Sequence, residues 1–400
     1  MSMFPKPLSI LQTCFSHSWG GLEQQAYEVT SHLQQLGHHV WLACCTGSRL
    51  EHEAKQGGMT VLPYDVTGYV HPQICWELCR FLRSRKIDII HCQLSKDIAT
   101  LVPAMLLSQR GTPIILSKRV GSYISKKDLF HRFTHRYVSK VLAISEVINK
   151  NVLDTTPTPP ERVMTLHDAI DTDVFSPLRV RRSVVRKGLG FSDRSLIIGM
   201  VGRFSPGKGH EELLEAARIL RGTHPEVRYV IVGEASHGEE YYEKRIRQLA
   251  RQLGVDDLIV FTGFRKDIPE IMSAFDIFAF PSHAESFGVA LIEAMAMERA
   301  VVSTNCDGVL DIVVGEETGI YIRPRRASEL ADALARLIKD PLLRERMGKA
   351  GRQRVLALFD RRKQMQKLEE IYYSLVSTAT RPEPSVHDIS AEAASSAAHR

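Results

Sequence analysis

Two carboxylates, Glu285 and Glu293, stand eight positions apart in Ser282-His283-Ala284-Glu285-Ser286-Phe287-Gly288-Val289-Ala290-Leu291-Ile292-Glu293-Ala294-Met295-Ala296-Met297. Carboxylates accept paired hydrogen bonds from vicinal hydroxyls, so this spacing suggests a sugar or a ribose as ligand. The competing reading is one exposed loop acid and one solvated helix acid. A second constellation is Gly202-Arg203-Phe204-Ser205-Pro206-Gly207-Lys208-Gly209-His210. A glycine-bearing loop at a helix N-terminus exposes backbone N–H groups that attract anions. Arg203 adds a bidentate fork and Lys208 a point charge, which together suit a diphosphate. The third is Ser18-Trp19-Gly20-Gly21-Leu22-Glu23, where Gly20-Gly21 opens the first helix and could bring its N-terminus to an anion.

The elements around these residues explain how they would converge. Phe275–Pro281 reads as a short buried strand closed by proline, and Val289–Met297 has helix-forming composition. Glu285 then sits on a strand-to-helix loop, with Glu293 about two turns into the helix. Gly288 lets backbone approach a ligand closely. Both acids would face the crevice at the carboxyl end of a strand, where open α/β sheets bind ligands. Gly202–His210 likewise follows the strand Leu196–Val201 and precedes the helix His210–Arg221.

The whole chain alternates in this way. Strands are expected at Leu8–Cys14, His39–Cys44, Thr60–Leu62, Ile87–His91, Pro113–Ser117, Val141–Ile144 and Val163–Leu166. A second series comprises Leu196–Val201, Val227–Val232, Ile259–Thr262, Ile277–Phe280, Ala300–Ser303 and Gly319–Ile322. Helical patterns fill the gaps, so the fold class is α/β with two αβα domains and mostly parallel sheets. The first domain is read as 1–178, the second as 190–358, with Phe175-Ser176-Pro177 and the basic run Arg179–Lys187 as their connection. Leu342–Val376 is helical. The Ala-, Ser- and Pro-rich stretch 378–400 is expected to be a disordered tail.

The surroundings of the two acids, Pro-Ser before them and Glu-Ser-Phe-Gly and Glu-Ala-Met-Ala about them, resemble the E-x7-E signature of retaining nucleotide-sugar glycosyltransferases of the GT-B fold, family 4. Gly202–Gly209 resembles that family's G-R-x-x-x-x-K-G motif, and Gly20–Glu23 its G-G-x-E loop. The resemblance covers roughly residues 8–376. It implies two Rossmann-like domains facing a central cleft, with a helix at 360–376 crossing back to the N-terminal, acceptor-binding domain. It also implies that Glu285 holds donor-sugar hydroxyls and Glu293 ribose hydroxyls. Arg203 and Lys208 would hold the pyrophosphate and offset leaving-group charge, aided by the backbone at Gly20, Gly21 and Gly202. Ser286, Phe287, Gly288, Phe264 and Gly308 complete the expected donor contacts, with base contacts from main chain around Thr262–Arg265.

Several positions depart from the family pattern. Asp307-Gly308-x-x-Asp311 stands where the family has G-G-x-x-E, and Asp168-Ala169 where it has N-G at the hinge. Gln93 follows His91 where a second His is common, and Ser117-Lys118-Arg119 replaces another expected His. His91 is thus a catalytic candidate or simply a buried strand-end residue, while Lys118 or Arg119 could meet an anionic acceptor.

No catalytic nucleophile stands out, and the resemblance implies front-face attack with the donor phosphate as base. A UDP-sugar is the first expectation for the donor and GDP-mannose the second, with a glycan or lipid-linked acceptor of the bacterial envelope. No metal or cofactor is expected: Asp171-Thr172-Asp173 is literally a D-x-D, but its place between domains favours a hinge. Gly202-x4-Gly207-Lys208 nears a P-loop, yet Gly209 lacks the hydroxyl for magnesium. The alternatives are a P-loop-like nucleotide hydrolase, a non-catalytic sugar-nucleotide-binding protein and an epimerase on the same fold.

Composition bounds the rest. Seven cysteines without a C-x2-C pair argue against a disulfide framework and a zinc site. The N-terminal residues lack a signal-peptide pattern and no apolar run would span a bilayer, so a cytoplasmic location is expected. The net charge of +6 is uneven: residues 1–187 hold 23 Lys/Arg against 15 Asp/Glu. Within 118–140, cations interleave with Tyr123, Leu129, Phe130, Phe133 and Tyr137. This segment reads either as an anionic-membrane docking face, giving peripheral attachment at the inner face, or as core aromatics with solvated cations. No module for nucleic acid accompanies the charge.

Overall fold

The computed structural model describes residues 6–66, 68, 71–236 and 238–379. The expected tail from 380 onward, and residues 1–5, lie outside the described residues, while Thr378 and Ala379 end the last helix. The chain divides into two units: Met1–Leu142, Val152–Met164 and Met365–Arg400 form one; Ala143–Asn151 and Thr165–Gln364 form the other. Residues 165–178, expected with the first domain, therefore group with the second.

The first unit is built on a seven-stranded sheet: β1 (Ser9–Cys14), β2 (His39–Cys45), β3 (Thr60–Tyr64), β4 (Ile89–Cys92), β5 (Ile114–Lys118), β6 (Val138–Ala143) and β7 (Val163–Thr165). Their order is β3-β2-β1-β4-β5-β6-β7, and β3 through β5 pair in parallel. The second unit holds six strands: β8 (Ile197–Val201), β9 (Arg228–Val232), β10 (Ile259–Gly263), β11 (Ile277–Phe280), β12 (Ala300–Thr304) and β13 (Gly319–Ile322). Their order is β10-β9-β8-β11-β12-β13, with every pairing parallel.

Near-continuous apolar runs such as Ile277-Phe278-Ala279-Phe280 form strands buried on both faces, because crossover helices cover a parallel sheet. The helix Ala327–Lys339 shows the complementary pattern, burying Leu330, Leu334, Leu337 and Ile338 on one face. In both sheets the order reverses between the first strand and the fourth. Loops leaving those two strands splay apart there and open a crevice at their carboxyl ends.

Two segments differ from expectation. Arg182–Gly188, within the expected connection, is a helix of the second unit. Arg186 anchors it: the buried guanidinium donates to the carbonyls of Ala274 (3.0 Å), Asp193 (2.8 Å) and Ser195 (2.9 Å), and to Asp276 Oδ2 (2.6 Å). The helical stretch 342–376 breaks at Phe359–Asp360 into Pro341–Leu358 and Arg361–Ala379, the second of which matches the helix expected at 360–376. Ile170 forms a bridge with Asp360 at the break, and Ala169 O accepts from Arg361 Nη2 at 2.5 Å. The expected hinge segment is thus pinned against this break within the second unit. Asp171 Oδ1 caps the N–H groups of Asp173 and Val174, and Asp173 pairs with Arg362, so the D-x-D carboxylates are engaged locally.

From Met365 the last helix belongs to the first unit, where Glu369 Oε1 meets His38 Nε2 at 2.9 Å and Tyr372 packs in the core. No helix among the described residues is long and apolar enough to cross a membrane.

Candidate functional site

The second unit gathers its candidate residues at the crevice between β8 and β11. The loop leaving β8 carries Lys208, and the loop leaving β11 carries Glu285. Lys208 Nζ and Glu285 Oε1 form an ion pair, both side chains only partly exposed. The two loops are laced together, with His283 N donating to Gly207 O at 2.8 Å. Gly209 makes this close approach feasible: its φ is +86°, and a Cβ there would lie 2.3 Å from Pro281 O. Gly209 also caps the helix His210–Arg221, whose first N–H groups lack intrahelical partners.

The loop after β12 closes the other side. Gly308 N donates to Glu285 O at 2.9 Å, and a Cβ at Gly308 would meet Ser286 O at 2.3 Å. Asp307 Oδ2 accepts from Glu285 N at 3.3 Å. The departure from the family pattern at 307 therefore helps hold the loop carrying Glu285. Ser286 O accepts from Ser145 Oγ at 2.6 Å, and buried Phe287 stacks on His167 with ring centroids 5.7 Å apart. Asp311 is likewise a local brace, accepting from Glu146 N (2.8 Å) and His167 Nε2 (3.1 Å).

Gly288 caps the helix Val289–Ala296, which carries Glu293 on its second turn. Burial pushes the Glu293 carboxyl up to about 8, against the pull of the Arg361 charge. Among the described residues its carboxyl has no hydrogen-bond partner, which leaves acceptor capacity for a hydroxyl.

Lys208, Glu285, Ser286 and Gly308 are therefore brought into one contact group. Gly202 donates its N–H to Val232 O at 3.0 Å as the chain leaves β8. Arg203 shares the loop with Lys208 but reaches Ser236 Oγ (3.2 Å) and lies 4.0 Å from Glu239. Phe264 stands exposed past the end of β10, the edge strand. A feature not anticipated is the chain Glu212–His283–Arg325: His283 Nε2 meets Glu212 Oε1 at 2.8 Å and Arg325 Nε meets His283 Nδ1 at 3.3 Å. Its only sequence signal is the place of His283 two residues before Glu285. Arg361 was also missed, since nothing in linear order ties it to Glu293. Among the described residues no group of three His, Cys, Asp or Glu side chains could hold a metal.

In the first unit, Gly20 caps the helix Gly21–Gln35, and its N–H donates to Glu23 Oε2 at 2.9 Å. Glu23 is buried and also accepts from Ser16 Oγ at 2.5 Å, so this acid shapes the glycine turn. His91 has the surroundings of a buried strand-end residue: Nδ1 meets Tyr372 Oη (2.6 Å) and Nε2 meets Ser117 Oγ (2.8 Å). Burial pushes its pKa down to about 3. With both ring nitrogens occupied, His91 offers no free nitrogen to a substrate. Arg119 is buried, 3.4 Å from Gln93 Oε1, while Lys118 meets Ser95 Oγ at 3.1 Å and is pushed down to about 8 by burial. Asp97 shows what lies at this unit's own crevice. It accepts from Phe15 N at 3.2 Å, and burial raises its carboxyl to about 7.

Two αβα units, each on a parallel sheet, one with a cation–carboxylate pair at its switch point, are of the fold class expected for a GT-B protein. Residues 182–354 match the family model of Glycosyl transferases group 1, and residues 19–174 match Glycosyltransferase Family 4. The chain belongs to these glycosyltransferases and is an enzyme of that class.

The alpha-D-kanosaminyltransferase of Streptomyces kanamyceticus is 29% identical over 328 residues, 75% of this chain and 83% of that protein. A D-inositol 3-phosphate glycosyltransferase of Kribbella flavida is 33% identical over 201 residues, 48% of this chain and 46% of its own. The match thus spans under half of that relative. Among solved structures, a glycosyltransferase from Rickettsia africae superposes with a TM-score of 0.84 at 21% identity, covering 93% of this chain and 99% of that one. Anabaena HepE, in complex with UDP and glucose, gives 0.78 at 22% identity, covering 92% and 100%. At these identities the likeness shows the fold.

Proposed function

We propose that this glycosyltransferase is retaining and moves a sugar from a nucleoside-diphosphate sugar to a hydroxyl of an envelope glycan or lipid-linked acceptor. The Lys208–Glu285 pair at the β8/β11 switch point carries this reading. A cation that can meet a diphosphate and a carboxylate that can accept sugar hydroxyls sit side by side, each on a braced loop. A protein of the same fold holds UDP and glucose, which makes UDP-sugars the first donors to test and GDP-mannose the next.

In this mechanism the acceptor oxygen forms a new bond to the anomeric carbon on the face of the leaving group. The bond from that carbon to the phosphate oxygen breaks, and the departing phosphate takes the acceptor's proton. The products are a glycoside and a nucleoside diphosphate. No protein nucleophile enters, so the protein's work is positioning and stabilising phosphate charge. Lys208 exchanges Glu285 for a phosphate oxygen as the donor enters, freeing Glu285 for sugar hydroxyls. Arg203 swings from Ser236 to the second phosphate, and Glu293 takes the ribose. Neither metal nor cofactor is needed. The same reading places the enzyme in the cytoplasm, peripheral to the inner membrane face through 118–140.

The test is a thermal-shift panel of nucleoside diphosphates and their sugars, with and without magnesium. The expected result is a metal-independent rise with one donor, lost in Glu293→Ala. Lys208→Ala should cut turnover more than donor affinity, by about 100-fold or more in kcat if the cation acts on the leaving group. Wild-type affinity and activity in both variants would overturn the assignment. Stabilisation only by a nucleoside triphosphate with magnesium would favour nucleotide hydrolysis. A glycoside product of inverted anomeric configuration would refute retention.

A further inference from the structure

A cleft of about 600 Å³ lies on the first unit, between the helix Leu129–Arg136 and the loop of three prolines at 157–160. Four cations line it: Lys127, Arg132, Arg136 and Arg162. Arg132 donates to Lys127 O at 3.0 Å and Arg162 to Arg136 O at 2.8 Å; among the described residues none of the four is paired with a carboxylate. The nearby acid Asp128 is engaged by His131 at 2.5 Å. Cations lining a concave surface without counter-charge form a positive field that concentrates anions. Buried His135 meets Thr158 Oγ1 at 2.8 Å behind the cleft.

The rim of the cleft is apolar and uncovered. Leu129 is 84% exposed, Phe130 51% and Phe133 47%, and just before the helix Tyr123 and Ile124 stand at 104% and 73%. Leu129 and Phe133 are one turn apart, as are Arg132 and Arg136, so an apolar stripe and a cationic stripe run side by side along one helix. Large apolar side chains left in water beside unpaired cations fit one solvent boundary, where phosphates lie above hydrocarbon.

We propose that this cleft is a phosphate-binding site for anionic phospholipid headgroups, and that Leu129, Phe130 and the Tyr123–Ile124 tip enter the bilayer beside it. The proposal builds on the peripheral-membrane part of the function advanced above and gives it a discrete site. The wall formed by 153–162 belongs to that site and was not part of the basic segment read in the sequence.

The test is flotation with vesicles of phosphatidylcholine alone or mixed with phosphatidylglycerol. Wild-type protein is expected to float with the mixed vesicles and not with the neutral ones. The Lys127→Glu/Arg136→Glu variant, whose two side chains make no hydrogen bond within the described residues, should partition at least about tenfold more weakly. A charge-matched variant of exposed residues on the second unit, Arg326→Glu/Lys339→Glu, should float as wild type does. Leu129→Ser should weaken flotation while leaving the melting temperature unchanged.

Equal flotation of wild type and the cleft variant would overturn the proposal, as would wild-type flotation with neutral vesicles or with none. Binding to single-stranded RNA that anionic vesicles fail to displace would assign the cleft to nucleic acid instead. The donor-induced thermal shift, measured on the same cleft variant, separates the two proposals. If the shift is retained while flotation is lost, both stand. If wild type gives no shift with any donor but still floats, only the donor reading fails.

Discussion

At the scale of residues, Glu293 presents a conflict between stability and its proposed role in donor binding. Its ordinary pKa of 4.5 is raised to about 8 by burial. Between those values the folded state holds a proton that the unfolded chain releases, so this group makes stability fall as pH rises through that window. Glu293→Gln is neutral throughout. It should melt with wild type near about pH 4 and above it near about pH 9, in buffers without donor. Coincident melting temperatures at both ends would remove the burial argument. Above about pH 8, where the wild-type carboxyl is ionised, the same variant should lose donor stabilisation, because the amide replaces an acceptor oxygen with a donor group. A residue whose removal stabilises the protein and abolishes binding is placed for its ligand.

Asp307 illustrates how a single substitution can be absorbed locally. Where the family pattern has glycine, its carboxylate accepts from Glu285 N. Asp307→Asn keeps that acceptor and should leave donor affinity within about twofold, whereas Asp307→Ala releases the loop and should weaken donor affinity by about 0.5–1.5 kcal/mol, measured by titration calorimetry.

At the scale of elements, the site is held by short loops braced against strand ends. Gly308 packs against Ser286 O so closely that no side chain fits. Gly308→Ala should push the loop bearing Glu285 outward, costing about 1–3 kcal/mol in denaturant unfolding together with donor affinity. Behind the sheet, the helix Arg182–Gly188 depends on Arg186, whose guanidinium binds three carbonyls and Asp276. Arg186→Ala takes that donor from three carbonyls, while Arg182 still pairs with Asp276. It should cost about 1–3 kcal/mol, seen as a lower unfolding midpoint. The basic run at 179–187 was legible only as a charged connection. Linear order cannot reveal that one of its arginines would find Asp276, 90 positions on, as a buried partner.

At the scale of the molecule, the chain leaves the first unit and later returns to it. The part of the last helix from Met365 completes the first unit's core with Leu368, Ile371 and Tyr372. Tyr372 Oη meets His91 and Gln12, and Glu369 meets His38. Truncation after Gln364 should thus lower the melting transition of the first unit. The transition of the second, with its donor-induced shift, should persist in scanning calorimetry. Loss of both transitions together would show that the two units unfold as one.

All thirteen strands among the described residues were readable from apolar runs bounded by turn residues, because a parallel sheet demands continuous apolar segments of strand length. The place of Lys208, Glu285 and Gly308 on loops leaving strands was legible for a related reason: each follows its strand closely in the chain, and that proximity is linear. The sequence by itself thus determined the two-sheet α/β class, the loops that carry the proposed donor site and the family. Tertiary structure alone decided which strands became neighbours, and so brought Lys208 beside Glu285 across 77 residues. It also placed Arg361 near Glu293, enclosed His91 between Tyr372 and Ser117, and set the proline loop opposite Arg132 and Arg136. Each of these joins residues far apart in the chain. Their meeting depends on sheet order and helix packing, which periodicity along the chain does not encode.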